Sequence, residues 1–196
     1  MSTWASDQQP YYSAKDVEAA AQLYLKVAKE RRQLLDLATF RYDFTDVFRQ
    51  VLSDRGLALV PQLKDSSAAR AEFLALIRRM DALLACTDAF RLDTHEVRAR
   101  RRAGERGVRS LRRMFTTWIE RPNSNLNDYA HHQFVGLLGC YYLKRWEVFF
   151  ANPENADAKL DELERSAPSA IWDMPSKDGD VLSVVEGLEA SGGPSL

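Results

Sequence analysis

Apolar residues recur every three or four positions through most of this chain. After Ser13-Ala-Lys-Asp16, a capping-box form with Asp in place of Glu, the residues Val17, Ala20/Ala21, Tyr24, Val27/Ala28 and Leu34/Leu35 keep helical spacing. They predict a first helix over about residues 14 to 38. Phe44, Val47, Phe48, Val51 and Leu52 form a second stripe, with Gly56 as its expected stop. The segment LALVPQL is apolar enough for a strand, but Pro61 and its helical neighbours favour a continued or restarted helix. Asp65-Ser-Ser67 then caps a third helix. Phe73, Leu76/Ile77, Met80 and Leu83/Leu84 line one face of it, and Arg70, Arg78 and Arg79 lie mostly on the other.

Asp93-Thr94 opens an arginine-rich helical segment that Gly104 and Gly107 are expected to interrupt. ERPNSN reads as a loop. The pattern from residue 127 to 150 predicts a helix that is apolar nearly all round, hence central to the fold. Gly136 and Gly139 within it each cost about 1 kcal/mol relative to Ala, which close helix packing would offset. AKLDELERSA and VLSVVEGLEA predict two short helices, separated by the loop-like APSAIWDMPSKDGD. No alternation of strands with helices and no internal repeat is present. The fold expected is all-α, an irregular bundle of six to eight helices. Residues 1–12 read as a disordered or extended lead, 13–190 as one helical domain, and 191–196 as a flexible tail.

Composition narrows the function classes. The 196 residues are 45% hydrophobic and 28% charged, with a formal net charge of -1, so overall charge points to neither a nucleic acid nor a membrane surface. The N-terminus lacks a basic start and an apolar core, and so is not a secretory signal. No apolar run reaches the ~18 residues of a membrane span. Cys86 and Cys140 sit in apolar surroundings and read as small buried hydrophobes.

Recognised chemistry is sparse. His131 and His132, if helical, point about 100° apart and cannot clasp one metal as an i, i+4 pair can. His95 is the only other histidine, so neither a metal nor a cofactor is expected. Neither cysteine has the setting of an activated nucleophile, and no glycine-rich phosphate loop occurs. The run from Arg98 to Arg113 could form a phosphate-binding face, a weak nucleic-acid reading. Helical wrapping, with Glu96 and Glu105 interspersed, favours instead a solvated face with some arginines paired to buried carboxylates. In the aromatic segment, Gln133, Tyr141, Tyr142 and Trp146 need polar partners once buried, and Asp128, Arg145 and Arg49 are the candidates.

Two stretches together carry a resemblance. FRYDFTDVFRQVL contains Arg41, Tyr42, Asp43, Asp46, Arg49 and Gln50. LNDYAHHQFVGLLGCYYLKRWEVFF contains Asp128, Tyr129, Ala130, Gln133, Gly136, Leu137, Tyr141, Tyr142, Arg145, Trp146 and Phe149, with Trp118 ahead of it. Gly179-Asp180 precedes the last helix. In order and spacing, over about residues 15 to 190, these resemble the C-terminal helical domain of the α-N-acetylglucosaminidases. The pattern departs at the family's Trp-Gly-Pro turn, which here is Trp118-Ile-Glu-Arg-Pro122.

The resemblance implies a family that removes terminal α-linked N-acetylglucosamine, as from heparan sulfate, with retention, on a TIM barrel preceding this domain. Retention needs two carboxylates about 5 to 5.5 Å apart, and a barrel needs about 250 residues of alternating strand and helix. The family's catalytic glutamates have no counterpart in these residues, so no catalytic residue is assigned. The implied role is to pack on a catalytic barrel and help wall its pocket, with glycan bound only in that context. Trp118, Asn125 and Asn127 are the candidates for facing the barrel. Family members are secreted, periplasmic or lysosomal; this chain by itself would stay cytoplasmic. The alternative is a free-standing module that binds a carbohydrate or a partner.

Overall fold

The computed structural model describes residues 11–116, 132–177 and 179–190. It is all-α: among the described residues there are seven α-helices and no strand, only an isolated bridge between Arg91 and Val135. The chain divides into two compact units. One takes Met1–Ala89 and Ser176–Leu196, the other Phe90–Pro175.

The first unit holds α1 (Ala14–Glu30), α2 (Ala38–Leu59), α3 (Ser67–Ala85) and α7 (Val181–Ala190). Ser13 caps α1 by accepting from the Asp16 N–H, and Ser66 caps α3 by accepting from Ala69. The predicted 14–38 helix is in fact two pieces. Arg31 leaves helical geometry (φ -137°, ψ 63°), and a 3-10 turn, Arg32–Asp36, carries Leu35 into the core. Gly56 does not stop α2. It is buried, with the Phe73 ring 3.7 Å from where a Cβ would stand, so it serves close packing. LALVPQL continues the helix to Leu59 and then a 3-10 turn, Val60–Gln62, as Pro61 and its neighbours suggest.

α2 packs against α1 and α3, and α7 packs against α3 and α1. Leu25, Phe44, Phe48, Val51, Leu63, Leu83, Leu84 and Val185 fill the core between them. Tyr24, Phe40, Phe44 and Phe48 form a ladder of ring contacts with centroids 4.9 to 6.4 Å apart. Asp180 caps α7: its carboxylate accepts from the Leu182 and Ser183 N–H groups and the Ser183 hydroxyl, and Arg32 donates to it as well.

The second unit holds α4 (Leu92–Thr116), α5 (Leu143–Ala151) and α6 (Ala156–Ser166). α4 is broken at Ala103 and Gly104, the latter at φ 58°, a left-handed geometry that glycine adopts at little cost. Gly107, also expected to interrupt, lies within the second half of the helix. Of the helix expected over residues 127 to 150, the described residues 132–136 are not helical, and helical structure is present from Leu137 on. Before it, Val135 bonds in extended form to Phe90 and Leu92, and Gly136 turns the chain at φ 86°. Gly136 is thus a turn residue, not a helix-packing one. A π-helical turn, Leu138–Tyr142, leads into α5.

Because a π turn inserts a residue into the helical register, faces counted in steps of three and four drift across it. That is why the expected central helix is only partly central. Val135, Leu137, Leu138 and Tyr141 are buried, whereas no residue of α5 is. Leu92, Leu137, Tyr141, Ala167 and Trp172 make one core cluster of this unit.

Candidate functional site

The polar side chains that need partners gather in a few places. In the first unit, α2 presents Asp46, Arg49, Gln50 and Asp54 along its surface. Arg49 pairs with Asp46 at 2.8 Å, Gln50 donates to Asp54 at 2.9 Å, and the Tyr12 hydroxyl donates to the same Asp54 oxygen at 2.6 Å. The bond to Asp54 raises the Tyr12 phenol above its ordinary range, with lesser help from burial. Tyr42 and Asp43 are exposed and Arg41 is half-buried. This cluster ties Tyr12 to α2.

In the second unit, three buried arrangements recur around charge. The Tyr141 hydroxyl, on a residue 1% exposed, lies 2.7 Å from Glu164 Oε1 and 3.0 Å from the Thr116 carbonyl, both acceptors. Burial first of all pushes the Tyr141 phenol far up, so it keeps its proton. Arg145 sits over the Tyr141 ring at 5.5 Å. Glu96 receives Arg112 at 2.6 Å; Arg112 also donates to the Ala170 carbonyl and lies 4.6 Å over the Trp172 ring. Arg91 grips Asp93 through both carboxylate oxygens and donates to the Pro175 carbonyl.

These positions revise the expected pairings. The Tyr141 hydroxyl meets acceptors on Glu164 and Thr116. Arg49 serves Asp46 on its own helix, and Arg145 meets Tyr141 through its ring. Trp146 packs against Phe149 and Phe150 at 5.7 and 5.3 Å. Tyr142 and Gln133 are half-buried. Trp118, Asn125, Asn127, Asp128, Tyr129 and His131 lie outside the described residues. Glu164, the most deeply buried carboxylate among the described residues, was missed because it sits in AKLDELERSA, a short helix rich in charged residues. Its one sequence signal is its place on the Ala156-Leu160 side of α6, four residues after Leu160.

His132 is not helical, so the angle between helical neighbours does not apply to it. Its ring stacks on Phe134 at 6.0 Å and meets Phe115 edge-on at 4.9 Å. Among the described residues, no three of His, Cys, Asp and Glu are placed to hold a metal ion. Cys86 and Cys140 are not joined in a disulfide and are half-buried, more exposed than their apolar neighbours implied; the Cys140 thiol faces the Asp173 carbonyl at 3.3 Å. Among the described residues, no helix is long and apolar enough to cross a membrane.

Glu96 and Glu164 each bond a partner within the second unit. Helices and ties of this kind define an all-α domain. The chain belongs to the α-N-acetylglucosaminidase C-terminal domain family: residues 2–173 match the family described as alpha-N-acetylglucosaminidase (NAGLU) C-terminal domain. It is also 27% identical over 174 residues to the human alpha-N-acetylglucosaminidase, covering 81% of this chain. The match spans only 22% of the human protein's length.

Proposed function

We propose that this chain acts as the C-terminal helical domain of an α-N-acetylglucosaminidase-type glycoside hydrolase, packing on a catalytic barrel and helping to wall its substrate pocket. By itself it does not turn over substrate. The observation that carries this reading is the family match over residues 2–173. Supporting it, the buried carboxylates Glu96 and Glu164 are bound to Arg112 and Tyr141 and do not stand open as an acid–nucleophile pair. Terminal α-linked N-acetylglucosamine is then a ligand only of the assembled enzyme. Trp118, Asn125 and Asn127 are the barrel-facing candidates on sequence grounds.

Co-expression with a catalytic barrel domain of the family from the same source tests the reading. Co-elution of the two in size-exclusion chromatography, weakened by Trp118→Ala, is expected. A chain that elutes alone, yet is retained by immobilised N-acetylglucosamine, would instead establish a free-standing carbohydrate module.

A further inference from the structure

The two halves of α4 do not run on in a line. Arg112 and Glu96 are 16 residues apart, which on a straight helix is about 24 Å, yet their side chains meet at 2.6 Å. The break at Ala103-Gly104 therefore folds the second half back toward the first. A Cβ on Gly107 would stand 2.5 Å from the Ala99 carbonyl oxygen, so the halves come into direct contact near the corner.

Beside this corner lies a groove of about 810 Å³, within the ~300–1,000 Å³ range of ligand clefts. Arg98, Arg101, Arg102 and Arg106 line it, with Leu111 and Met114 among its apolar lining. All four arginines are exposed, and among the described residues no carboxylate pairs with them. The acids of α4 are engaged elsewhere: Glu96 with Arg112, Glu105 with Arg100, Asp93 with Arg91. Met114 is 63% exposed, an unbranched apolar side chain suited to an adaptable contact. The lining thus combines unneutralised guanidinium groups with apolar footing. Among the described residues that line it, the only ring is that of His95. A nucleic acid strand or a sugar chain would want more stacking platforms than these lining residues provide.

We propose that this groove docks an acidic peptide segment of a partner protein, its carboxylates taken by Arg98, Arg101, Arg102 and Arg106 and an apolar side chain seated on Leu111 and Met114. The proposal goes beyond the role in a glycosidase and does not depend on it. The probe is a fluorescein-labelled, glutamate-rich peptide with leucines one helical turn apart, titrated with the full chain at low salt and followed by anisotropy. Saturable binding that weakens with salt is expected. Arg102→Glu with Arg106→Glu should weaken it at least about tenfold, and Met114→Ser severalfold, while Arg165→Glu, outside the groove, leaves it unchanged. Far-UV circular dichroism checks that the variants keep their helices. Absence of binding, equal binding by a leucine-free polyglutamate, or displacement of the peptide by an oligonucleotide at equal charge would each overturn the proposal.

Discussion

Tyr141 shows how one side chain can organise a core. Its ring fills the space among Leu92, Leu137 and Trp172, and its hydroxyl is held at Glu164 and Thr116. Its single proton serves one of these acceptors at a time, and removing the hydroxyl takes that hydrogen bond from a fully buried site, which costs more than the bond itself contributes. Tyr141→Phe should therefore lose about 1–3 kcal/mol in urea unfolding, whereas Tyr11→Phe, at a fully exposed position, should stay within about 0.5 kcal/mol. The need of Tyr141 for a partner was legible from the sequence; the identity of that partner was not. Glu164 lies 23 residues further along on an otherwise charged helix, and no local pattern links the two. The pairing of some α4 arginines with buried carboxylates was foreseen, and Arg112 with Glu96 realises it. Taking Arg112 away would leave Glu96 buried without its counter-charge, a loss of about 3–5 kcal/mol in comparable pairs.

Helical periodicity placed the elements well where the stripe is regular. α3 begins at its predicted serine cap, and α2 carries the aromatic and aliphatic stripe read from residues 44 to 52. It failed where the backbone departs from 3.6 residues per turn. The 3-10 turn at Arg32–Asp36, the left-handed Gly136 and the π turn at Leu138–Tyr142 each shift register, and apolar residues on both sides hid them. Capping was legible at α1 and α3, whose serines the sequence marked. Gly179-Asp180 marked the start of α7, and the Asp180 carboxylate is held below its usual range, first by the Ser183 hydroxyl and then by Arg32. Since the folded-state pKa is depressed, the stabilisation is complete above the unfolded value of about 4 and fades as pH falls through the lower folded value. Asn can still cap but carries no charge. Asp180→Asn should thus destabilise the chain at pH 7, and its difference from the parent should shrink toward pH 3, as read from paired urea titrations at the two pH values.

On the scale of the whole molecule, the all-α architecture of six to eight helices was readable because strand patterns are missing and capped apolar stripes follow one another. The seven described helices match it. Family membership was readable for a different reason: two motifs, one on α2 and one on the aromatic segment, keep their order across the chain. Much of what they contain proves to be packing and hydrogen bonding, as with Phe44, Phe48, Leu137 and Tyr141. The division into two compact units was not readable, because the first unit is completed by residues 176–196, after the second has intervened. Only a contact between distant segments, such as that of α7 with α1 and α3, reveals it.

The central claim is that these residues support a glycosidase without carrying its catalysis. Turnover of an aryl α-N-acetylglucosaminide tests it most directly, measured for the purified 196-residue chain, for a family catalytic barrel domain from the same source, and for the two mixed. No turnover by the chain alone, with higher or longer-lived turnover by the mixture than by the barrel domain alone, is the predicted result. Turnover by the chain alone that a substitution within it abolishes would contradict the account.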